Sequence, residues 1–548
     1  MAICYNRTNR RNMRKKVVVR CALISSALMA SITAGFLTSN LVYAEPPTKP
    51  NSSSSNKPGG SSGSFDTKSY KGAVTFSETA SEADGSYTST TAGENAVLVS
   101  GGTVNLSNPT IAKSGDDNSG DNADFYGTNA AVLSYDSSKI KINGGTITTN
   151  GAHANAVFAY GDSTIDIADT AIKTSANNSG GIMVTGGGTL TATNLNISTS
   201  GNSSAAIRSD RGGGTMTVKG GNYEVSGTGS PVIYSTANVT VSNATLISTA
   251  SEGAVIEGKN SVTLDNDDIT VTNTKLNGNS ETYKAFFIYQ SMSGDADEGT
   301  GNFTMTNSKV TNNKGEIFFV TNTSAIITLE NNTYVNNDTD GAFLKATSGK
   351  WGTSGKNGGN VTLYAKNDGI FGDFVIDDVS TLTANLTEKA YLMGTINRAK
   401  TAKEINLVMD KTSIVVLTGD SYISSLTNED AENSNIYANG HKLYVGGTEA
   451  TINQDTPPEY TRDSESETEA EVEVKEDKTW LYWLLGAAGV AFVIALIIVF
   501  IILSKNKKNK RAFEEQQALA QVEHNNMKRP WEQEQPLQKP GANYKKNA

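Results

Sequence analysis

The chain has 548 residues, with 46 Lys and Arg against 56 Asp and Glu, three His and two Cys. Residues 1–44 hold seven bases and no acid, and the segment after Leu503 holds ten bases and five acids. That leaves 29 bases and 51 acids, a net of −22, in residues 45–479. This sign excludes nucleic acid as a partner of the central segment. Because Cys4 and Cys21 are the only cysteines, no disulfide framework is available to that segment either.

In chain order, residues 1–44 predict a secretory signal peptide. Seven bases precede an apolar run from Cys21 to Leu37, and Val42-Tyr43-Ala44 supplies small residues at the cleavage-determining positions. Residues 45–66 are Pro, Ser, Asn and Gly, a leader with nothing to bury. From 67 to 453 the composition turns to Thr, Asn, Gly, Val, Ile and Ala, and no helical periodicity is evident.

A repeat governs this segment. Val132, Val157, Ile182, Ile207 and Val232 recur every 25 residues, followed by Val255. A second column runs Ile165, Leu190, Met216, Val239, Val262, and a third Ile172, Ile197, Tyr223, Leu246, Ile269. Three short strands at fixed phase describe one coil of a solenoid. Between the second and third strands stand Asn108, Asp169, Asn194, Asn243, Asn266 and Asn307, with Gly144 and Gly220 in the same phase. These residue types tolerate φ > 0, so the spacing predicts a tight bend. Roughly twelve coils fit between Val74 and Val445, the stretch from Ile370 being less regular and read as a cap.

Residues 454–479 form an acidic stalk with alternating Glu465 to Glu473. Residues 480–503 carry no charge and, at about 1.5 Å per residue, match a bilayer core of about 30 Å. Trp480, Tyr482 and Trp483 suit one interface, and Lys505 to Arg511 the cytoplasmic side. The expectation is a cell-membrane protein with one pass, residues 45–479 outside and a basic tail, 504–548, inside.

Three strands, one tight bend and two looser turns per coil resemble the right-handed parallel β-helix of the pectate-lyase-like superfamily. The segments Asp121 to Gly127, Gly229 to Ser235, Ala254 to Asn260 and Trp351 to Gly355 look like those of exported, adhesin-like β-helix proteins of anaerobic bacteria. The resemblance implies an all-β fold and a ligand groove along the first-strand sheet. It implies no agreed activity.

Chemistry is expected where the period breaks. One insertion brings Asp116, Asp117, Asp121 and Asp124. A second, Gln290 to Gly301, holds Asp295, Asp297 and Glu298, and a third, Ser348 to Asn360, holds Trp351. The last two fall between first and second strands and are expected along one edge. Asp295, Asp297 and Glu298 are candidate calcium ligands, since hard cations want clustered oxygens; without EF-hand spacing, solvated acidic loops are the alternative. Outward positions of the first-strand column offer Tyr135, Phe158, Tyr160, Arg208 and Asp210, aromatic and polar groups of the kind that bind sugar faces. With Trp351 these are the candidate ligand residues. Enzyme motifs are weak: Gly115-Asp116-Asp117 matches one fragment of polygalacturonase motifs, without its companion Gly-His-Gly, and His153 and His441 sit in turn contexts. The reading is therefore a non-catalytic adhesin or polysaccharide-binding module directed at a cell-surface or cell-wall component. A polysaccharide lyase or hydrolase and an architectural rod are the alternatives.

Overall fold

The computed structural model describes residues 65–461, except Asn118, Gly120 and Asn279. Residues 1–64 and 462–548 lie outside these, and with them the export signal, most of the leader and stalk, the 480–503 span and the basic tail. Among the described residues no helix is long and apolar enough to cross a membrane.

The chain winds as an all-β parallel solenoid of about 15 turns. Twelve first strands, from Gly72–Phe76 to Phe374–Ile376, pair in parallel as one sheet. The second and third strands share a 22-stranded sheet, because Gly188–Thr199 and Gly214–Val225 each run through the bend as a single strand. Val157 lies opposite Val132 and Ile182, so successive repeats are vertical neighbours. The second and third columns pair in the expected register from Ile165 to Val262 and from Ile172 to Ile269.

Two features correct the repeat. The partner of Ile207 is Ile233, not Val232, and Ala254 follows it, so Val255 faces outward beside Tyr234. An extra residue enters at the Gly212–Gly214 turn, where Gly188 already pairs with Gly214; the next coil is then shortened before Ala254. The coil count also exceeds twelve, because late coils contract. Ser425 hydrogen-bonds to Asn406, only 19 residues away. The region expected as a cap keeps winding through a four-stranded sheet that ends at Ile436–Tyr437. Closure comes later, where Thr448–Glu449 turns back antiparallel on Leu443–Val445.

The interior is built from alternation. Second and third strands such as Lys139–Asn143 and Thr146–Thr149 bury every other residue, as a half-covered strand must. First strands such as Ala254–Glu257 are buried on both faces, so something covers their outer side. Beyond the aliphatic columns expected, the later coils insert phenylalanines. Phe286, Phe303 and Phe318 pack with ring centroids 4.7 to 5.1 Å apart.

The bend column is confirmed by its backbone. All eight expected residues have φ between 50° and 72°. Where carboxamides succeed one another, each donates to the coil before it: Asn108 to Asp84, Asn194 to Asp169, Asn266 to Asn243 and Asn331 to Asn307, all at 2.7 Å. A second ladder, unforeseen, lies buried at the turn before the first strand. Ser179, Ser204 and Ser230 accept from the N–H of Ala154, Ser179 and Ser204 at 2.9 to 3.0 Å. Their 25- and 26-residue spacing was readable in the sequence.

Coils approach most closely at this same turn. A Cβ on Gly227 would lie 1.7 Å from the Gly201 carbonyl oxygen. Gly227→Ala must push two backbones apart and is expected to cost about 1–3 kcal/mol. A depressed thermal unfolding midpoint measures it, and an unchanged midpoint would contradict the packing described.

Candidate functional site

The outer face of the first-strand sheet carries a continuous ladder. Leu98, Leu133, Phe158, Met183, Arg208 and Tyr234 stand in register, followed by Val255, Phe287 and Phe319. A second outward row, two residues on, includes Tyr160, Asp210, Glu257 and Tyr289. The outward phase expected from the sequence is therefore correct.

Its apolar beginning is not open to ligand. The first insertion folds over it as a lid, with a six-residue helix, α1 (Asp121–Tyr126). Leu133, Phe158 and Met183 are fully buried in a small cluster of their own. Phe158 is thus lid core, not a sugar platform. Tyr135 and Tyr160 are half-buried, and each packs on a ring from another segment: Tyr135 on Tyr70 at 4.6 Å, Tyr160 on Tyr126 at 5.5 Å.

The acidic residues of this insertion pin it down. Asp116 accepts from the N–H of Ala152 at 2.7 Å. Asp117 accepts from the N–H of Ser119 and the Thr128 hydroxyl. Asp124 lies 3.0 Å from His153 Nδ1 and 3.5 Å from Arg208. Thr185 donates to the Phe125 carbonyl and Tyr70 to that of Tyr126.

Beside the lid a cleft of about 780 Å³ opens, lined by Phe125, Tyr126, Tyr160, the Arg211–Gly214 turn, Lys259 and the 294–297 loop. Arg211 bridges its two walls. Its guanidinium lies 4.0 Å from the Phe125 ring centre, and its Nε donates to Asp295 at 2.7 Å. Arg208, its side chain 11% exposed, reaches the buried Asp210 at 3.2 Å. Burial pushes Asp210 up to about 7 against the pull of Arg208, and Asp295 and Asp124 add to the rise.

A second cavity, of about 220 Å³, shares Asp295 and follows the ladder further. Tyr234, Phe287, Tyr289 and Trp351 give it aromatic walls; Glu252 and Glu257 also line it. Glu257 accepts from Tyr234 at 2.5 Å, from Tyr289 at 3.0 Å and from Ser291. Burial nonetheless raises its carboxyl above the ordinary value. Glu252 differs. Burial opposes its charge, but the Lys284 ammonium 3.0 Å away and the Ser251 hydroxyl outweigh it and hold the carboxyl low. Lys284, only 1% exposed, also sits 4.4 Å from the Phe287 ring centre.

Of the predicted residues, Tyr160, Asp295 and Asp297 line the cleft and Trp351 shares the second cavity with Asp295, whereas Arg208 and Asp210 line neither. The second and third insertions do meet at one edge, Asp295 and Trp351 lining one cavity. Asp295 and Asp297 are each paired with a base, Arg211 and Lys259. Among the described residues no three His, Cys, Asp or Glu side chains, including Glu298, are grouped to hold a metal ion. The sequence reading missed Glu252, Glu257, Lys284, Phe287 and Tyr289. The signal was a further period break, since Val255 pairs with Phe287, 32 residues on; its extra residues supply Asn277 and Ser280 to the cavity.

Compared with known proteins, the chain matches no family model, no curated protein and no solved structure.

The lid's hold depends on pH. The hydrogen bond to Asp124 raises His153 above its ordinary 6.5; burial and Arg208 oppose it and Asp117 assists. A raised histidine contributes stability fully present below about pH 6.5 and lost as pH climbs through the raised value. Amides of residues 121–127 should exchange hydrogen faster at pH 8.5 than at pH 6, after correction for intrinsic rate, and His153→Ala should abolish that difference.

Removing one partner of a buried ion pair strands the other. Glu252→Ala is expected to cost about 3–5 kcal/mol through Lys284. Chemical denaturation would show it, and Glu252→Ala combined with Lys284→Met should recover much of the loss.

Proposed function

We propose that the chain is a non-catalytic binding solenoid that takes a polysaccharide, or another cell-surface or cell-wall component, in the groove along its first-strand sheet. The observation that carries this reading is the cleft between lid and acidic loop, where ring edges, an arginine and exposed backbone of a glycine-rich turn face one polar space. Sugars present alternating apolar faces and hydroxyls, which such a surface matches. The net charge of −22 in residues 45–479 favours neutral or cationic ligands over acidic ones. Export by residues 1–44 and anchoring by 480–503 complete the reading as a surface adhesin of the pectate-lyase-like type. Both segments lie outside the described residues.

A second reading, a polysaccharide lyase or hydrolase, has one supporting observation. Asp210 pairs with Arg208 and Asp295 with Arg211, and the carboxyls of Asp210 and Glu257, raised first by burial, are both raised further by Asp295. Asp210 and Glu257, both raised by burial, suit the role of a general acid.

A glycan array probed with the full chain, with and without calcium, separates these. Binding reading: discrete glycans are retained and remain intact, and Arg211→Ala or Tyr160→Ala weakens them about tenfold or more. Release of reducing or unsaturated ends, abolished by Asp295→Asn, would instead establish the enzyme. No retained glycan at all would leave the architectural rod.

A further inference from the structure

We propose that the cavity beside Trp351 receives a small organic ammonium group, either the free amine of an amino sugar or a quaternary ammonium headgroup. This sharpens the glycan-binding reading and rests on it for the amino-sugar case.

Size comes first. About 220 Å³ is below the ordinary range for whole drug-sized ligands, about 300–1,000 Å³, so the cavity suits one compact group. Its walls include the rings of Tyr234, Phe287, Tyr289 and Trp351. Phe287 and Tyr289 stack at 4.4 Å, and Trp351 lies 5.7 Å from Tyr289. Aromatic faces attract cations through the ring quadrupole. The chain already uses one in this way, with Lys284 over Phe287.

Charge points the same way. Every titratable side chain lining the cavity is acidic, and no Lys, Arg or His is among them. Two of the three carboxylates have internal partners, Glu252 with Lys284 and Asp295 with Arg211. Glu257 has no cation within ion-pair distance among the described residues, although it is 1% exposed. Three hydroxyls already occupy most of its hydrogen-bonding capacity. What it lacks is an opposite charge, which buried carboxylates need. A neutral sugar hydroxyl would add a fourth hydrogen bond but leave that deficit. An ammonium group corrects it.

The site is built in advance. Asn357 donates to the carbonyls of Gly349 and Trp351, each at 2.8 Å, and Lys350 reaches the Gly278 carbonyl. These bonds hold the Trp351 loop in place before a ligand arrives, which limits the ordering cost of binding.

The test is calorimetric titration of the full chain with tetramethylammonium, choline and glucosamine, with glucose and N-acetylglucosamine as neutral counterparts. Saturable binding of the ammonium compounds is expected, about tenfold or more tighter than the neutral ones. Glu257→Gln and Trp351→Ala should each remove most of it. Trp351 is half-buried on a surface loop, so its variant keeps the test decisive if Glu257→Gln does not fold. Glucosamine alone would identify the amino sugar, and the quaternary compounds alone the headgroup. Equal affinity for neutral sugars, or unchanged binding in both variants, overturns the inference. A positive glycan array with no ammonium binding would sink this inference only; ammonium binding with a blank array would sink the glycan reading only.

Discussion

Parallel backbone pairing between successive coils is the constraint from which the remaining structure follows. Each coil must place its strands over those of the coil below, so every side chain inherits a vertical neighbour of the same phase. That is why one residue type pays off repeatedly: carboxamides at the bend, hydroxyls before the first strand, branched aliphatics within. It also fixes where novelty can enter. A strand cannot lengthen without spoiling the register above and below, whereas a turn can. The lid, the acidic loop, the Asn277 segment and the Trp351 loop are all turns that grew.

This explains what could be read from the residues alone. The second and third columns were legible to the residue because Ile165, Ile172 and their successors alternate buried and exposed positions on strands with one covered face. The bend was legible because left-handed backbone favours Asn, Asp and Gly, although Glu388 also adopts it after its second strand. The first column slipped at Val232, since that strand is apolar on both faces and offers no alternation by which to detect a single inserted glycine. Phe158 and Tyr160 were correctly placed on the outward side. Their surroundings were not legible, because coverage by α1 depends on an insertion whose own path carries no periodic signal.

The groove was legible as a location and largely illegible as chemistry. Arg208, on the strand Ile207–Ser209, and Asp210, just past its end, are two residues apart and could be paired by inspection. Glu257, Tyr289 and Ser291 meet only because the outward rows of two coils align after unequal turns. Arg211 and Asp295 are 84 residues apart and touch across two loops. Electrostatic consequences, such as the elevated Asp210 or the unmatched Glu257, arise from that convergence and from burial, and neither can be counted from composition.

The backward fold of Thr448–Glu449 onto Leu443–Val445 reaches beyond local geometry. A solenoid that simply stopped would present its last backbone groups as a template for another molecule, and identical molecules could then accrete into fibres. Reversing the chain direction occupies one strand of that template from within: the outer backbone of Leu443–Val445 is answered by the chain itself instead of being offered to a neighbour.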